Sequence, residues 1–475
     1  MPKLAELVKA VPQSRLLGDE KTMSLEFTSV STDSRSLTPG ALFFALSGPH
    51  FDGEEFIEAA QRRGAIAAVV TAKRLDELQM KALRQESRLP QIEVPDPLLA
   101  LQQWAHYWRQ NWLGRVIAVT GSNGKTTVKQ MLAAIGGQAL RGASVWATPG
   151  NLNNHIGLPL SVLGLQPQHR LAIFELGMNH PGEINILAAI ACAQIALVNN
   201  AQREHQEFMH SVAAVAQENG SVLQALGPQG VAVFPADDPH TPLWREWAGA
   251  RPCWVFGADP SAQVSLAQAR WKADHWQVRL HTPLGDLATE LHIAGQHNVR
   301  NAMAATAAAM AAGAPVAAVA QGLRAFQPVN GRSRAFVTQG LHQACTVVDD
   351  TYNANPDSVL AAIDVLAELP APRLLVLGDM GEVGAQGEVF HTEVGQHAKQ
   401  RGIERLFTLG TLAQASARAH PSAQHFEDMA GLQAAVRALA PHCGSVLVKG
   451  SRFMRMERVI ECLLTPSLPT EAACS

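Results

Sequence analysis

The chain has 475 residues, 47% hydrophobic and 17% charged, with a formal net charge of −3. At roughly 150 residues per domain this length suggests about three folded units, and the composition excludes a disordered chain. A near-neutral balance carries no basic footprint, so no nucleic-acid partner is expected.

The first residues, MPKLAELVKAV, place charges at Lys3, Glu6 and Lys9. They lack the unbroken apolar stretch of a secretory signal. The longest apolar run, AMAATAAAMAAGAPVAAVA, is mostly alanine and is broken by Gly313 and Pro315. It reads as a buried helix and not as a membrane span. Six cysteines, at 192, 253, 345, 443, 462 and 474, form no C-x-x-C pair. Reduced thiols in a cytoplasmic protein without a membrane partner are the expectation.

Strand-like runs alternate with amphipathic helices along most of the chain. VIAVTG precedes a helix from Lys125, LAIFELG a helix near Pro181, and QIALVNN a helix over SVAAVAQENGSVLQAL. Further on, TVVDDTYN, RLLVLGDM, RLFTLG and SVLVKGS continue the pattern. Short β-rich runs separated by helices predict parallel α/β sheets. Between residues 230 and 295, WVFG and WQVRLHTPLGDLATELHIAG read instead as hairpins, an antiparallel patch on the middle unit. The helix in VPDPLLALQQWAHYWRQNWLGR and the turn-rich AFQPVNGRSRAF mark two boundaries. The predicted domains are 1–112, 113–327 and 328–475.

The stretch TGSNGKTT, residues 120–127, lies between a predicted strand and a predicted helix. It is shorter than the usual G-x-x-x-x-G-K-[ST] phosphate loop. The chemistry is nevertheless that of an anion site. Gly121, Ser122, Asn123 and Gly124 let the backbone approach a phosphate, and the first helical turn presents its N–H groups to it. Lys125 can reach the β and γ phosphates, and the hydroxyl of Thr126 or Thr127 can serve Mg²⁺. ATP and Mg²⁺ are the expected cofactors. A magnesium-side carboxylate should come from a neighbouring strand end, and Glu175 is the candidate. His205, past the next strand, can reach the same edge. GNLNNHIG, DDTYNANPDS, GDMGEVG and KGSR also follow strand ends, pointing to binding crevices in two domains.

With these motifs the sequence resembles the Mur ligases, ATP-dependent amide-forming ligases that build the bacterial peptidoglycan precursor. The shortened loop is that family's form. GNLNNHIGLPLSVL, DDTYNANPDS, VLGDMGEVG and LVKGSRFMRME point within it to the type that adds D-alanyl-D-alanine, and no DNPR-type motif is present. The resemblance implies an α/β protein of three domains: a UDP-sugar-binding domain, a central P-loop ATPase domain with a parallel sheet, and a Rossmann-like C-terminal domain. It implies small-molecule substrates, UDP-N-acetylmuramoyl-tripeptide and D-alanyl-D-alanine, and a monomer.

Residue by residue, the resemblance implies that Ser34, Arg35, Phe51 and Asp52 contact the UDP-sugar. Asn151, Asn153 and Asn154 match a loop near the muramoyl peptide. Asn298 and Asn301 match positions beside the adenine. Arg332, Asp350 and Lys449 match residues that close over ATP, and Tyr352, Asn353 and Asn355 the loop for the incoming dipeptide. Thr126 and Glu175 match magnesium positions, and His205 a second-metal histidine. The implied catalytic set is Lys125, Glu175, His205 and Lys449. One departure stands out. Where the family usually carries a lysine, carbamylated in several members, this chain has Asn219, which cannot be carbamylated; either Glu218 or water is then expected in that role, or a second metal held more weakly. Another ligase of the group, including the folylpolyglutamate type, and a P-loop NTPase switch stay open as alternatives.

Overall fold

A computed structural model describes residues 1–17, 19–49, 51–72, 89–140, 144–272, 275–339 and 344–464; Cys474 lies outside them. Three sheets succeed one another along the chain, each flanked by helices.

The first sheet has five strands: β1 (Arg15–Leu17), β2 (Ser29–Ser31), β3 (Ala41–Phe44), β4 (Ala67–Thr71) and β5 (Gln91–Val94), ordered β1-β5-β4-β3-β2. Only β1 runs antiparallel to its neighbour. All four residues of β3, ALFF, are buried, as expected for a parallel strand covered on both faces. The loops that carry Ser34 and Arg35, after β2, and Phe51 and Asp52, after β3, leave the same edge of two paired strands.

The second sheet has nine: β6 (Arg115–Thr120), β7 (Val145–Ala147), β8 (Leu171–Glu175), β9 (Ile195–Val198), β10 (Val231–Pro235), β11 (Cys253–Gly257), β12 (Val264–Lys272), β13 (His275–His281) and β14 (Leu287–Leu291). Their order is β14-β13-β12-β11-β10-β9-β6-β8-β7. Parallel pairing extends from β7 to β12, and β12, β13 and β14 form an antiparallel meander at one end. WVFG is therefore not part of a hairpin, contrary to expectation. It lies in β11, parallel to β10 with Val233 opposite Trp254, because helix Thr241–Ala248 carries the chain back between them. The meander does alternate buried and exposed positions along β13, the mark of a sheet with one wet face.

Two helices explain how this unit is held. The alanine-rich helix Gln296–Ala311 is buried along most of its length, between the sheet and helix Lys125–Leu140. Small side chains allow that close approach. Helix Pro97–Gln110 is capped by Asp96, which accepts from Leu98 N at 2.8 Å. Its Trp104 is fully buried in the first unit's core against Phe27. Its Arg109 is buried at the other end and donates to the Ala191 and Cys192 carbonyls of the second unit. One helix thus belongs to two cores.

The third sheet has six strands: β15 (Arg334–Gln339), β16 (Ala344–Asp350), β17 (Arg373–Gly378), β18 (Arg405–Leu409), β19 (Ala423–Phe426) and β20 (Ser445–Lys449), ordered β15-β16-β20-β17-β18-β19. All pairs are parallel except β15 with β16. Among the described residues no helix is long and apolar enough to cross a membrane. The five described cysteines are free.

Candidate active site

The ends of β6, β8 and β9 in the second unit, and of β16 and β20 in the third, face one cleft of about 760 Å³. Ligands of open parallel sheets bind at this edge.

The phosphate loop joins β6 to helix Lys125–Leu140. Gly124 adopts φ +80°, and a Cβ there would stand 2.3 Å from Asn301 Oδ1 and 2.7 Å from Asn199 Nδ2. Only glycine fits. Asn298 and Asn301 hold this packing: Asn301 Nδ2 donates to Asn298 Oδ1 at 2.9 Å, and Asn301 Oδ1 accepts from Asn199 Nδ2 at 2.9 Å. Gly121 N, just beneath the cleft, donates to Asn219 Oδ1 at 2.8 Å. Lys125 Nζ folds back onto the carbonyls of Gly121 and Ser122, and lies 3.4 Å from Glu204 Oε2.

Glu175 closes β8 and is 2% exposed. The hydroxyl of Thr126 stands 3.0 Å from both of its oxygens, Asn153 Nδ2 donates at 2.9 Å, and Lys129 Nζ lies at 3.0 Å. Burial pushes this carboxyl up, but the positive charges of Lys129, Arg332 and Lys125 outweigh it and hold it below the usual carboxylate range. An ionised carboxylate beside a hydroxyl is a hard-oxygen pair suited to Mg²⁺. No group of three or more His, Cys, Asp or Glu side chains among the described residues could hold a metal ion. A magnesium ion here would complete its shell with phosphate oxygens and water, as is usual for that ion.

His205 sits at φ +47°, an uncommon conformation for a residue other than glycine. Its Nδ1 is 2.5 Å from Glu382 Oε2 of the third unit, a close ion-pair approach too poorly aligned for a hydrogen bond. The imidazole holds the Glu382 carboxyl below its ordinary range. Glu218 does not face the cleft as expected. Its two oxygens accept from Gly182 N at 2.8 Å and Ile184 N at 2.7 Å, capping the helix Glu183–Ala191. A helix N-terminus with unsatisfied donors attracts the carboxylate away from the site.

From the third unit, buried Lys449 donates to Asp350 Oδ2 at 2.6 Å and to the Asn353 carbonyl at 2.9 Å. Arg332 stacks on Tyr352 with its guanidinium carbon 4.1 Å from the ring centroid. Asn355 caps helix Pro356–Ala367 through Ser358 N, and its Nδ2 donates to Asn123 Oδ1 of the loop at 2.9 Å. Asn151, Asn153 and Asn154 line the cleft beside Glu175. Ser34, Arg35, Phe51 and Asp52 lie outside its lining, on the first sheet's own edge. There Ser34 is buried, Phe51 is 55% exposed, and Asp52 accepts from Ser47 Oγ at 3.0 Å.

Sequence reasoning missed four residues here. Lys129 is fully buried one turn beyond Lys125, a lysine on the apolar row of its helix, and that misplacement was the available signal. Arg203 and Glu204 immediately precede the expected histidine. Arg203 binds Asp357 and Glu393 of the third unit, each at 2.7 Å. Glu382 meets His205 from the third unit; it lies in the GDMGEVG stretch already singled out, but nothing local marked it from its neighbours.

Three family models match the chain in succession: the Mur ligase family catalytic domain over residues 26–109, the Mur ligase middle domain over 119–309, and the Mur ligase glutamate ligase domain over 331–452. The chain belongs to the Mur ligase family. It is 38% identical over 451 residues to the UDP-N-acetylmuramoyl-tripeptide–D-alanyl-D-alanine ligase of Escherichia coli (strain K12), covering 94% of this chain and 96% of that one. Among solved structures, MurF from Acinetobacter baumannii superposes with a TM-score of 0.85 at 31% identity, covering 97% of both chains. MurF ligase from Thermotoga maritima, solved in complex with ADP, gives 0.78 at 25% identity, covering 92% of this chain and 96% of that one. Within this Mur ligase the second sheet carries the P-loop ATPase domain and the third is the Rossmann-like domain.

Proposed function

We propose that the chain is an ATP-dependent ligase that joins D-alanyl-D-alanine to UDP-N-acetylmuramoyl-tripeptide, releasing ADP and phosphate. The observation that carries this reading is the full-length similarity to ligases of that name, together with a cleft that unites the phosphate loop, Glu175 and Lys449.

A carboxylate is a poor acyl donor at neutral pH. In this reading the tripeptide carboxylate attacks the γ-phosphate of ATP to give an acyl phosphate, and the dipeptide amine then displaces phosphate from the acyl carbon. The first step brings two anions together. Lys125 and the N–H groups at the start of its helix neutralise that charge. Thr126 and Glu175 would hold Mg²⁺, which spreads the phosphate charge when bound. Lys129 keeps Glu175 ionised and in place. The acyl phosphate must be kept from water. The third domain, which meets the loop through Asn355 and Asn123, supplies the cover. The edge of the first sheet at Ser34, Arg35, Phe51 and Asp52 would hold the UDP-sugar end. The protein works as a cytoplasmic monomer in this reading.

The test is phosphate release from ATP and Mg²⁺ with one component omitted at a time. Release should need both the muramoyl-tripeptide and the dipeptide, with the pentapeptide product seen by mass. Release indifferent to both would sink the ligase reading and favour a general NTPase.

A further inference from the structure

Glu204 lines the cleft and is 5% exposed. A buried carboxylate needs a positive partner, because leaving it unpaired costs several kcal/mol. In this structure the partner is Lys125, 3.4 Å from Oε2. That lysine is also the one placed to meet the phosphates of a nucleotide. Once it turns to them, Glu204 loses its counter-charge unless another cation arrives.

The surroundings are arranged for one. His205 Nε2 stands 3.9 Å from the same Oε2. Its Nδ1 lies against the Glu382 carboxylate of the third unit, and Nε2 is the ring nitrogen on the Glu204 side. Two adjacent ligands each about 2.1 Å from one octahedral ion lie roughly 3 Å apart, so these two atoms need to close by about 1 Å to share an ion. The other carboxylate oxygen, Oε1, accepts from Asn219 Nδ2 at 3.2 Å, and Asn219 Oδ1 accepts from Gly121 N of the phosphate loop. Asn219 thereby fixes the carboxylate against the loop.

We infer that Glu204 is a cation ligand: with His205 Nε2 it forms the protein half of a second divalent-cation position beside the phosphates, and Asn219 orients it. A side-chain carboxylate supplies here the anion that a carbamylated lysine would otherwise have to provide, so the position needs no carbon dioxide. The inference rests on the nucleotide site of the proposed function, but not on which acceptor the enzyme uses.

The experiment is Mn²⁺ titration of the full chain, loaded with a non-hydrolysable ATP analogue, with free Mn²⁺ read by electron paramagnetic resonance. Wild type should bind two Mn²⁺ per chain, equally in bicarbonate-free and bicarbonate-supplemented buffer. Glu204→Gln should keep one and lose the other. Asn219→Ala, which leaves the carboxylate, should weaken the second ion about 10- to 100-fold. Analogue binding by the variants, measured in parallel, certifies their fold. Wild type that binds the analogue with a single Mn²⁺, or gains the second only with bicarbonate, overturns the inference while leaving the ligase reading intact. Two ions of wild-type affinity in a folded Glu204→Gln chain overturn it as well. A wild type unable to bind the analogue at all would remove the nucleotide site, and both readings with it.

Discussion

Lys129 and Glu175 form an ion pair from which water is excluded: the lysine side chain is 0% exposed and the carboxylate 3%. Such a pair is worth little against an apolar replacement of both partners, but removing one partner alone typically costs about 3–5 kcal/mol. Lys129→Met should therefore lower the denaturant midpoint markedly. An unchanged midpoint would mean that Lys125 and Arg332 suffice to balance Glu175. The pair Asp350–Lys449 makes a prediction in pH. Burial pushes the Asp350 carboxyl up, while Lys449 and His297 outweigh it and hold it below its ordinary value. Its contribution to stability is thus present above the unfolded value of about 3.9 and lost as pH falls through the lower folded one. In Lys449→Met the burial penalty acts with its main opposing charge removed, and the ionised form is disfavoured. The difference in Tm between wild type and Lys449→Met should widen as pH rises from about 3 to about 7. A gap that stays constant would show that the pair does not stabilise the fold. At this scale the sequence was legible where chemistry is local: Lys125 and Thr126 follow the loop glycines directly. Lys129 and Glu204 were not, because their roles depend on Glu175 and Asn219, brought to them only by folding.

At the scale of elements, the strand–loop–helix from Arg115 to Leu140 depends on a backbone that passes Asn199 and Asn301 without a side chain at Gly124. Gly124→Ala forces an L-residue to φ +80° and a Cβ into two amides. Such strain costs about 1–3 kcal/mol, and the loop must shift to relieve it. Calorimetric titration with ADP and Mg²⁺ should show affinity lowered by about tenfold or more, equivalent to 1.4 kcal/mol. Undiminished affinity would show that the loop geometry is not what binds phosphate. These elements were readable because a buried strand, a turn and an amphipathic helix each have a local pattern. β11 was misread because its short apolar run looks alike in a hairpin and in a crossover, and only helix Thr241–Ala248 decides between them. Glu218 was misplaced because sequence adjacency to Asn219 does not reveal which face of a helix meets a neighbour's N-terminus.

For the molecule as a whole, Arg203 makes the most polydentate of the side-chain contacts that join the third domain to the second among the described residues. It is held by Asp357 and Glu393 and stacks against Phe390 at 5.3 Å. Arg203 sits two residues before His205, so this clasp and the site share one loop. Arg203→Ala should raise the radius of gyration measured by small-angle scattering with nucleotide bound, and raise KM for ATP more than it lowers kcat. Scattering curves identical to wild type would assign closure to Asn123–Asn355 and His205–Glu382 instead.

The first two domains are joined differently. Helix Pro97–Gln110 buries Trp104 in one core and anchors Arg109 in the other. Considered as a machine under load, the molecule has one welded joint and one hinge. Tension applied across its ends loads both joints equally, so the ion pairs of the third domain should part first and leave the first two domains as one unit.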